Sequence, residues 1–366
     1  MTTAAIFWGS VALVLYVYIG YPLVLAVWSR LAPRPVQPTA GTDDPPVSVV
    51  LAVRDEAEAL ERKIANLRGL DYPQDRLQIV VVSDGQHDAT TAILQRLDRQ
   101  VDAVWVGRGG KARALNAGVE EARHDILVFC DVRQRFDRQA LHGLVAPFAD
   151  PTVGGVSGEL MLDLTSDIGE GLGGYWKYEK WLRRHESAIG STMGATGAIY
   201  ALRRALWQPL PADTILDDVL APMRAVLAAT RVVFASNALA FDPVAPAAVE
   251  LKRKIRTLAG NYQILGLEPR LLLPGKNPVW IQYMSHKVGR LLVPYALAAI
   301  LFSSAALATS SLFYAVAFAA QLAFYALAAY GAHLTARDAR LTNADGAARQ
   351  AVAAPTADRI IKEPTT

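Results

Sequence analysis

An uncharged apolar run near the N-terminus limits what this chain can fold into more than any other feature. Residues Ala4–Trp28 contain no charged side chain, and an α-helix of about 25 residues crosses a hydrocarbon core of about 30 Å. Arg30 and Arg34 follow the run directly. Because basic residues are retained on the cytoplasmic side of a membrane, we expect a spanning helix whose C-terminal end faces the cytoplasm.

Two more apolar runs predict a second membrane element near the C-terminus. Leu291–Leu307 and Leu312–Tyr330 are separated only by a short polar break, which is typical of a helical hairpin in a membrane. Basic residues flank the pair on both outer sides: Lys287, Arg290, Arg337 and Arg340. All three runs therefore predict one orientation, with the intervening residues in the cytoplasm. Buried helices of a large soluble domain are the alternative, but such helices seldom lack charges for so long.

The remaining composition excludes some partners. The net charge is +3, from 37 Lys and Arg against 34 Asp and Glu, so a broad basic surface for nucleic acid is not expected. Cys130 is the single cysteine, which rules out an internal disulfide and a cysteine-based zinc site. We therefore expect a membrane partner and no nucleic-acid partner.

Proline marks the boundary between the first membrane run and a folded domain. Five prolines lie between Ala32 and Pro46, a composition that favours an extended linker. We expect an N-terminal transmembrane helix over 1–30, a Pro-rich linker over 31–46, a cytoplasmic α/β domain over 47–270, a membrane-interface segment with the hairpin over 271–335, and a flexible tail over 336–366.

Short apolar runs alternate with helical patterns after the linker, which predicts a mostly parallel sheet covered by helices on both faces. The predicted elements are, in order, Val47–Val53, Glu56–Leu67, Leu77–Val82, Asp88–Leu97, Ala103–Val106, Lys111–Ala122 and Ile126–Cys130. Ligands bind at the carboxyl ends of the strands in such sheets. The candidate site is therefore formed by the polar residues that follow the strands: Arg54, Asp55, Glu56, Asp84, Lys111 and Asp131.

Three of these positions suggest a site for a nucleoside diphosphate. Asp84 can accept the imide N–H of uracil, or simply belong to a turn before the next helix. The glycine-rich segment Gly107–Lys111 leads into a helix, so free backbone N–H groups and a lysine could hold a diphosphate; a flexible loop before a basic helix is the alternative. Asp131 ends an apolar strand and could bind a divalent cation, or pair with Arg133 or Arg135.

Two adjacent acids later in the chain are candidates for proton transfer. Asp217 and Asp218 precede a helical pattern, where the helix dipole favours acids even without a function. A carboxylate aimed at an acceptor hydroxyl can also act as a general base. Gly197 lies in an upstream run of small residues that a bulky substrate can approach. Downstream, Arg253 and Arg256 could hold a leaving diphosphate or contact anionic lipid.

In order and spacing, these residues resemble those of the family 2 glycosyltransferases, which have the GT-A nucleotide-diphospho-sugar fold. The likeness covers roughly Pro46 to Gln263 and the membrane hairpin, and includes the stretch Gly-Lys-x-x-Ala-Leu-Asn-x-Gly at Gly110–Gly118. The resemblance implies nucleoside contacts from Arg54, Asp55, Glu56 and Asp84, diphosphate contacts from Lys111, a metal ligand in Asp131, and a catalytic base in Asp218 beside Asp217.

Two positions depart from the family pattern. Arg133 stands where the second acid of the Asp-x-Asp metal motif is expected, and Asp137 is then the alternative second ligand. In the Gln-x-x-Arg-Trp motif of cellulose and hyaluronan synthases, Arg253 stands at the glutamine, Arg256 matches, and Thr257 replaces the tryptophan. The missing aromatic platform favours transfer to a lipid-linked or short glycan acceptor over synthesis of a long polymer.

The resemblance thus implies a membrane-bound inverting glycosyltransferase of the inner or plasma membrane, with its catalytic domain in the cytoplasm. It implies a UDP-sugar donor, Mg²⁺ or Mn²⁺ as cofactor, and a lipid-linked or glycan acceptor. The residue patterns themselves predict Gly197 and Trp176 on the acceptor side. Trp176 belongs to a helical pattern predicted either to lie at the headgroups or to be half-buried beside the acceptor. Two other hypotheses stay open: a processive polysaccharide synthase, and a catalytically inactive nucleotide-binding membrane scaffold.

Overall fold

The computed structural model describes residues 2–37, 44–54, 56–85, 89–97, 100–163, 169–243 and 247–353. Its strands are β1 (Val47–Val53), β2 (Leu77–Asp84), β3 (Asp102–Val106), β4 (Ile126–Phe129), β5 (Arg135–Phe136), β6 (Val153–Asp163), β7 (Tyr200–Arg203) and β8 (Arg231–Pro243). Its helices are α1 (Thr2–Leu15), α2 (Tyr21–Leu31), α3 (Ala57–Arg68), α4 (Ala89–Arg96), α5 (Gly110–Glu121), α6 (Ala140–Val145), α7 (Gly169–Ile189), α8 (Asp217–Leu227), α9 (Ala247–Leu267), α10 (Trp280–Gln282), α11 (Gly289–Leu307) and α12 (Leu312–Ala353). The predicted alternation through β4 is confirmed element by element.

The described strands form one sheet in the order β3-β2-β1-β4-β7-β6-β8-β5. β1 pairs in parallel with β2 and with β4, and β2 pairs in parallel with β3. The carboxyl ends of these four strands therefore meet at one edge, as predicted. The sheet continues through antiparallel β7, which pairs with β4 and β6, and this mixed half was not predicted from the sequence.

Helices on both faces explain why β1 and β2 carry so few polar residues. Along β1, Val49 and Leu51 pack with the side chains of α3, whereas Val50 packs on the opposite face with those of α5. An added Cβ at Gly118 of α5 would come within 2.5 Å of Val50 and 2.9 Å of Val82. Because this glycine lets α5 lie directly on the sheet, the N-terminal end of α5 is held close to the strand ends.

Among the described residues, three helices are long and apolar enough to span a membrane: Thr2–Leu31, Trp280–Leu307 and Leu312–Leu334. They contain the three predicted runs, and a π-helical segment, Tyr283–Val288, continues the second span toward its N-terminal end. α12 continues to Ala353, into the range 336–366 that was expected to be a flexible tail, and the flexibility of that range stays a prediction. Its abundant alanine and arginine favour a helix, and residues 354–366 lie outside the described part.

The chain divides into two compact units. One comprises Gly9–Val244 and Ile255–Leu297, and it contains the whole sheet. The other comprises Met1–Trp8, Ala245–Lys254 and Ala298–Thr366. Within this second unit, aromatic contacts join the start of α1 to the start of α12: Phe7 to Tyr314 with ring centroids 5.1 Å apart, and Trp8 stacked on Phe313 at 5.5 Å.

Candidate active site

A cavity of about 360 Å³ lies at the carboxyl ends of the parallel strands. Its lining comes from the ends of β1, β2 and β4, the start of α5, and α9: Ala52, Val53, Arg54, Glu56, Asp84, Gly110, Lys111, Asp131, Val132, Arg133 and Arg256. Five of the residues predicted to bind the donor line this cavity, together with the predicted metal ligand Asp131: Arg54, Glu56, Asp84, Lys111 and Arg256. Their roles stay predictions. Asp55 lies outside the described residues, and its role stays a prediction.

Positive charge is in excess around this cavity. Four of its lining residues are cationic (Arg54, Lys111, Arg133 and Arg256) and three are acidic (Glu56, Asp84 and Asp131). Burial raises the pKa of Glu56, with the charge of Arg133 acting in the opposite direction. A polyanion such as a diphosphate fits a cavity with this charge distribution.

Asp84 holds the glycine-rich turn in place. Its two carboxylate oxygens accept the backbone N–H groups of Gly109 and Gly110 at 2.8 and 3.1 Å. Gly110 has a φ of +82°, a conformation that favours glycine. Asp84 therefore already binds these two amides, whereas the predicted diphosphate contact of Lys111 and the start of α5 stays a prediction.

Lys111 bridges two carboxylates: that of Asp131, which follows β4, and that of Asp217, at the start of α8. Its ammonium lies 2.9 Å from Asp131 Oδ1 and 3.1 Å from Asp217 Oδ1. Burial alone would lower the pKa of Lys111, but Asp217 and Asp131 outweigh it and raise that pKa above its usual range. The described ion pair of Asp131 is thus with Lys111, and the alternative of a pair with Arg133 or Arg135 is wrong.

Backbone N–H groups in the run of small residues that precedes β7 donate hydrogen bonds to Asp218. The Gly197 N–H donates to Asp218 Oδ2 at 2.9 Å, and the Ala195 N–H donates to the Asp218 backbone oxygen at 2.7 Å. Gly194, with a φ of +111°, makes the turn that brings these amides into position. Burial first, and then the charge of Asp217, raise the pKa of Asp218 to about 6, with Lys111 opposing them. An ionised carboxylate of that basicity can accept a proton near neutral pH.

Asp217 is more deeply buried than Asp218, with 4% of its surface exposed. Besides Lys111, it accepts a long hydrogen bond of 3.4 Å from the hydroxyl of Tyr200 in β7. Sequence reasoning missed Tyr200, since an apolar strand carries no signal that one of its side chains faces a distant acid. This burial suits Asp217 to holding Lys111, while Asp218 is the more accessible of the pair.

The described residues do not fit a complete divalent-metal site. No group of three His, Cys, Asp or Glu side chains in the described ranges could hold a metal ion. Asp131 is the one acid of the expected motif, and the ammonium of Lys111 already binds its Oδ1. Arg133, the residue in the place of the second acid, lines the cavity as a cation. Sequence reasoning treated Arg133 as a lost ligand and missed it as a candidate phosphate contact.

The remaining predicted residues lie on neighbouring elements. Arg256 reaches from α9 to the Ile215 carbonyl at 3.2 Å, just before α8. Arg253 lies 3.8 Å from Glu250 on its own helix. Trp176 is half-buried on α7 and is not among the residues that line the cavity. The acceptor role of Trp176 and the donor role of Arg253 stay predictions.

Comparison with known proteins matches residues 48–206 to the family model described as Glycosyl transferase family 2. A solved mannosyltransferase from Pyrobaculum calidifontis, PcManGT in complex with GDP-Man and Mn²⁺, is similar with a TM-score of 0.70 and 25% identity, covering 87% of this chain and 92% of that one. Divalent-metal dependence is typical of enzymes with the GT-A fold.

Two curated proteins are similar over shorter stretches. The poly-beta-1,6-N-acetyl-D-glucosamine synthase of Staphylococcus aureus (strain COL) is 23% identical over 235 residues, which are 60% of this chain and 55% of that protein. The beta-monoglucosyldiacylglycerol synthase of Synechocystis sp. is 33% identical over 116 residues, 30% of this chain and 24% of that protein. The chain thus spans about half the length of the first of these relatives.

Proposed function

We propose that this chain, whose residues 48–206 match the family 2 glycosyltransferases and whose fold is similar to that of a GT-A enzyme, transfers a sugar, with inversion, from a nucleotide-diphosphate sugar to an acceptor at the membrane. One observation supports this proposal above the others. Asp218, with a pKa of about 6, lies in the same charge cluster as Lys111 and Asp131, which line the cation-rich cavity. A base is thereby close to a site suited to an anionic leaving group.

In the proposed reaction, Asp218 takes the proton of an acceptor hydroxyl. The acceptor oxygen then bonds to the anomeric carbon of the donor sugar, on the face opposite the diphosphate. The bond between that carbon and the diphosphate oxygen breaks, and its electron pair leaves with the nucleoside diphosphate. Lys111, Arg133 and Arg256 stabilise the negative charge that develops there.

We propose a UDP-sugar as the donor, with Arg54, Asp55, Glu56 and Asp84 at the nucleoside end. Each oxygen of Asp84 bonds one glycine amide, and a carboxylate oxygen has room for a second donor, so its contact with the base is compatible with its hold on the turn. For the Mg²⁺ or Mn²⁺ that the fold implies, Asp131 would be the single protein carboxylate. We assign no step of the reaction to that metal.

We propose that the catalytic domain faces the cytoplasm and that the acceptor is lipid-linked or a short glycan. Arg30 and Arg34 after the first span, and Lys287 and Arg290 at the second, agree with that orientation. Gly197 belongs on the acceptor side because its amide holds Asp218. We keep Trp176 on the acceptor side, from the helical pattern of its segment, and Arg253 on the diphosphate side, from the family motif.

The proposal is tested with the detergent-purified full chain and a panel of UDP-glucose, UDP-N-acetylglucosamine, UDP-galactose and GDP-mannose. We expect one of these donors to release free nucleoside diphosphate, and Asp218→Asn to abolish the release while leaving nucleotide binding intact. Nucleotide binding without turnover of any donor would favour the inactive scaffold. Long products made from the donor alone would identify a processive synthase.

A further inference from the structure

A side-chain amide of α9 holds the backbone segment that leads into α8. Gln263 Oε1 accepts the Ile215 N–H at 2.9 Å, and Gln263 Nε2 donates to the Asp213 carbonyl at 2.8 Å. One carboxamide thus bonds a backbone donor and a backbone acceptor two residues apart. Asp213 and Ile215 lie in a turn and a bend outside the helices and strands, so the position of this segment depends on such side-chain contacts.

Two further residues of α9 contact the same segment. Arg256, which also lines the cavity, donates to the Ile215 carbonyl at 3.2 Å. An added Cβ at Gly260 would come within 2.5 Å of Leu216 Cγ and 3.0 Å of Ile215 Cγ2. Residues four and seven positions apart share one face of a helix. Arg256, Gly260 and Gln263 therefore form one surface of α9 that fits closely against the segment.

The segment ends at the proposed base. Leu216 directly precedes α8, and its carbonyl accepts the N–H groups of Val219 and Leu220 at 3.3 and 3.0 Å. It thus begins the hydrogen bonding of the helix whose first two residues are Asp217 and Asp218. From the other direction, amides of the run before β7 bind Asp218. The carboxylate is therefore located by two supports, the run of small residues and α9.

α9 is itself fixed on two sides, as a support for other residues must be. Ile264, next to Gln263, is fully buried in the hydrophobic core. On another side of the helix, the Tyr262 hydroxyl donates to the Leu291 carbonyl at 3.1 Å and lies 3.2 Å from the Tyr295 hydroxyl. Both of these partners belong to α11, which is part of a candidate membrane span. α9 thus connects that span to the segment before the base.

We propose that Gln263 is a positioning residue for Asp218: by binding Asp213 and Ile215, it sets the position of the first turn of α8 and so the reach of the carboxylate to the acceptor hydroxyl. This inference rests on the proposed transfer reaction and adds to it a residue that does not touch the substrate. Both ends of the amide are required, since its oxygen accepts one bond and its nitrogen donates the other. A displacement of about 1 Å can lower a rate about a hundredfold.

The kinetic test uses Gln263→Met, which keeps an unbranched side chain and removes both bonds. We expect kcat to fall about tenfold to a hundredfold, while KM for the donor and the dissociation constant of UDP change less than about twofold. Asn261→Leu is the matched control, because the Asn261 amide donates within α9, to the Thr257 carbonyl at 2.8 Å. An unchanged kcat would overturn the proposal. Parallel loss of kcat and UDP binding would assign Gln263 to stability alone and overturn it too.

A pair of glycines on the same helix gives a second test that leaves Gln263 in place. Gly260→Ala presses on Leu216, whereas an added Cβ at Gly266 meets no atom within 4 Å. Both substitutions raise helix propensity alike, so a difference between them reports the contact with the segment. We expect kcat to fall in Gly260→Ala alone, with UDP binding retained. Wild-type kcat in both variants would show that this surface of α9 does not position the base.

Hydrogen exchange separates this inference from the transfer reaction, because the measurement requires no turnover. In Gln263→Met we expect faster exchange than in the wild type over residues 213–220 and unchanged exchange over α5. Unchanged exchange over 213–220 would overturn the proposal whatever the activity. Faster exchange there, in a chain that turns over no donor, would reject the transfer reaction and support the hold of Gln263 on the start of α8.

Discussion

Asp218 shows how one carboxylate acquires the properties of a base from its surroundings. Burial and the adjacent Asp217 disfavour its ionised form, while Lys111 and Lys287 favour it. The result is a pKa of about 6, and the Gly197 amide keeps the carboxylate oriented. An ordinary exposed aspartate would be ionised more fully at neutral pH, but it would be a weaker base.

The pH dependence of transfer follows from that pKa. Asp218 must be ionised to accept a proton, so we expect kcat/KM to be constant above about pH 7 and to fall about tenfold per unit below about pH 6. The measurement is the rate of nucleoside diphosphate release between about pH 4.5 and about pH 8.5, a range that brackets the expected midpoint. An acid limb near pH 4, as for an unperturbed aspartate, would contradict the assigned base.

The side chain at position 133 determines whether the negative charge of the proposed donor is bound by a metal ion or by a cationic side chain. A second acid at this position would help to bind a divalent cation, whereas a guanidinium binds phosphate oxygens directly. Lys111 already binds the remaining acid, Asp131, at 2.9 Å. The side chains of this cavity are therefore better suited to an anion than to a metal ion.

We expect UDP binding to survive chelation in the wild-type chain. The dissociation constant, measured by calorimetry in EDTA and in Mn²⁺, should differ by less than about threefold, and Arg133→Asp should make it metal-dependent by about tenfold or more. Arg138→Asp is the control, because Arg138 is exposed and does not line the cavity. Loss of UDP binding by the wild type in EDTA would show that a metal is required after all.

At the scale of elements, the parallel half of the sheet was predictable and the contacts between distant elements were not. β1 was predicted to the residue, because an apolar run bounded by Pro46 and Arg54 has few other ways to be buried. Strand ends then located Asp84, Lys111 and Asp131 at one edge. The bridge from Lys111 to Asp217 has no local signal, since it depends on where α8 packs. β6 and β8 were missed because their small and polar residues resemble loops.

The glycine-rich turn gives a prediction at this scale. Gly110→Ala places a side chain at a φ of +82°, which costs about 1–2 kcal/mol and disturbs the two amides that Asp84 holds. We expect a lower melting temperature and weaker UDP binding. Gly107→Ala is the matched control in the same turn, because an added Cβ there meets no atom within 4 Å. Equal behaviour of the two variants would show that the strained glycine does not organise the site.

At the scale of the whole molecule, three apolar helices and the basic residues beside them set the expected topology. The helices of the first and second candidate spans contact α7 through Tyr21 and His286, so hydrogen bonds as well as chain connections join α7 to these two helices. With the domain in the cytoplasm, the turn between α11 and α12 lies on the opposite side of the bilayer.

The single cysteine makes this topology testable. Cys130 is buried, and burial raises the pKa of its thiol, so the wild-type chain should react little with a maleimide. We introduce Ser310→Cys in the turn between α11 and α12, or Gln100→Cys before β3, both at exposed positions. In spheroplasts, a membrane-impermeant maleimide should label the Ser310→Cys variant at once and the Gln100→Cys variant only after permeabilisation. The reverse pattern would place the catalytic domain outside the cytoplasm, away from the nucleotide sugars that the proposed reaction requires.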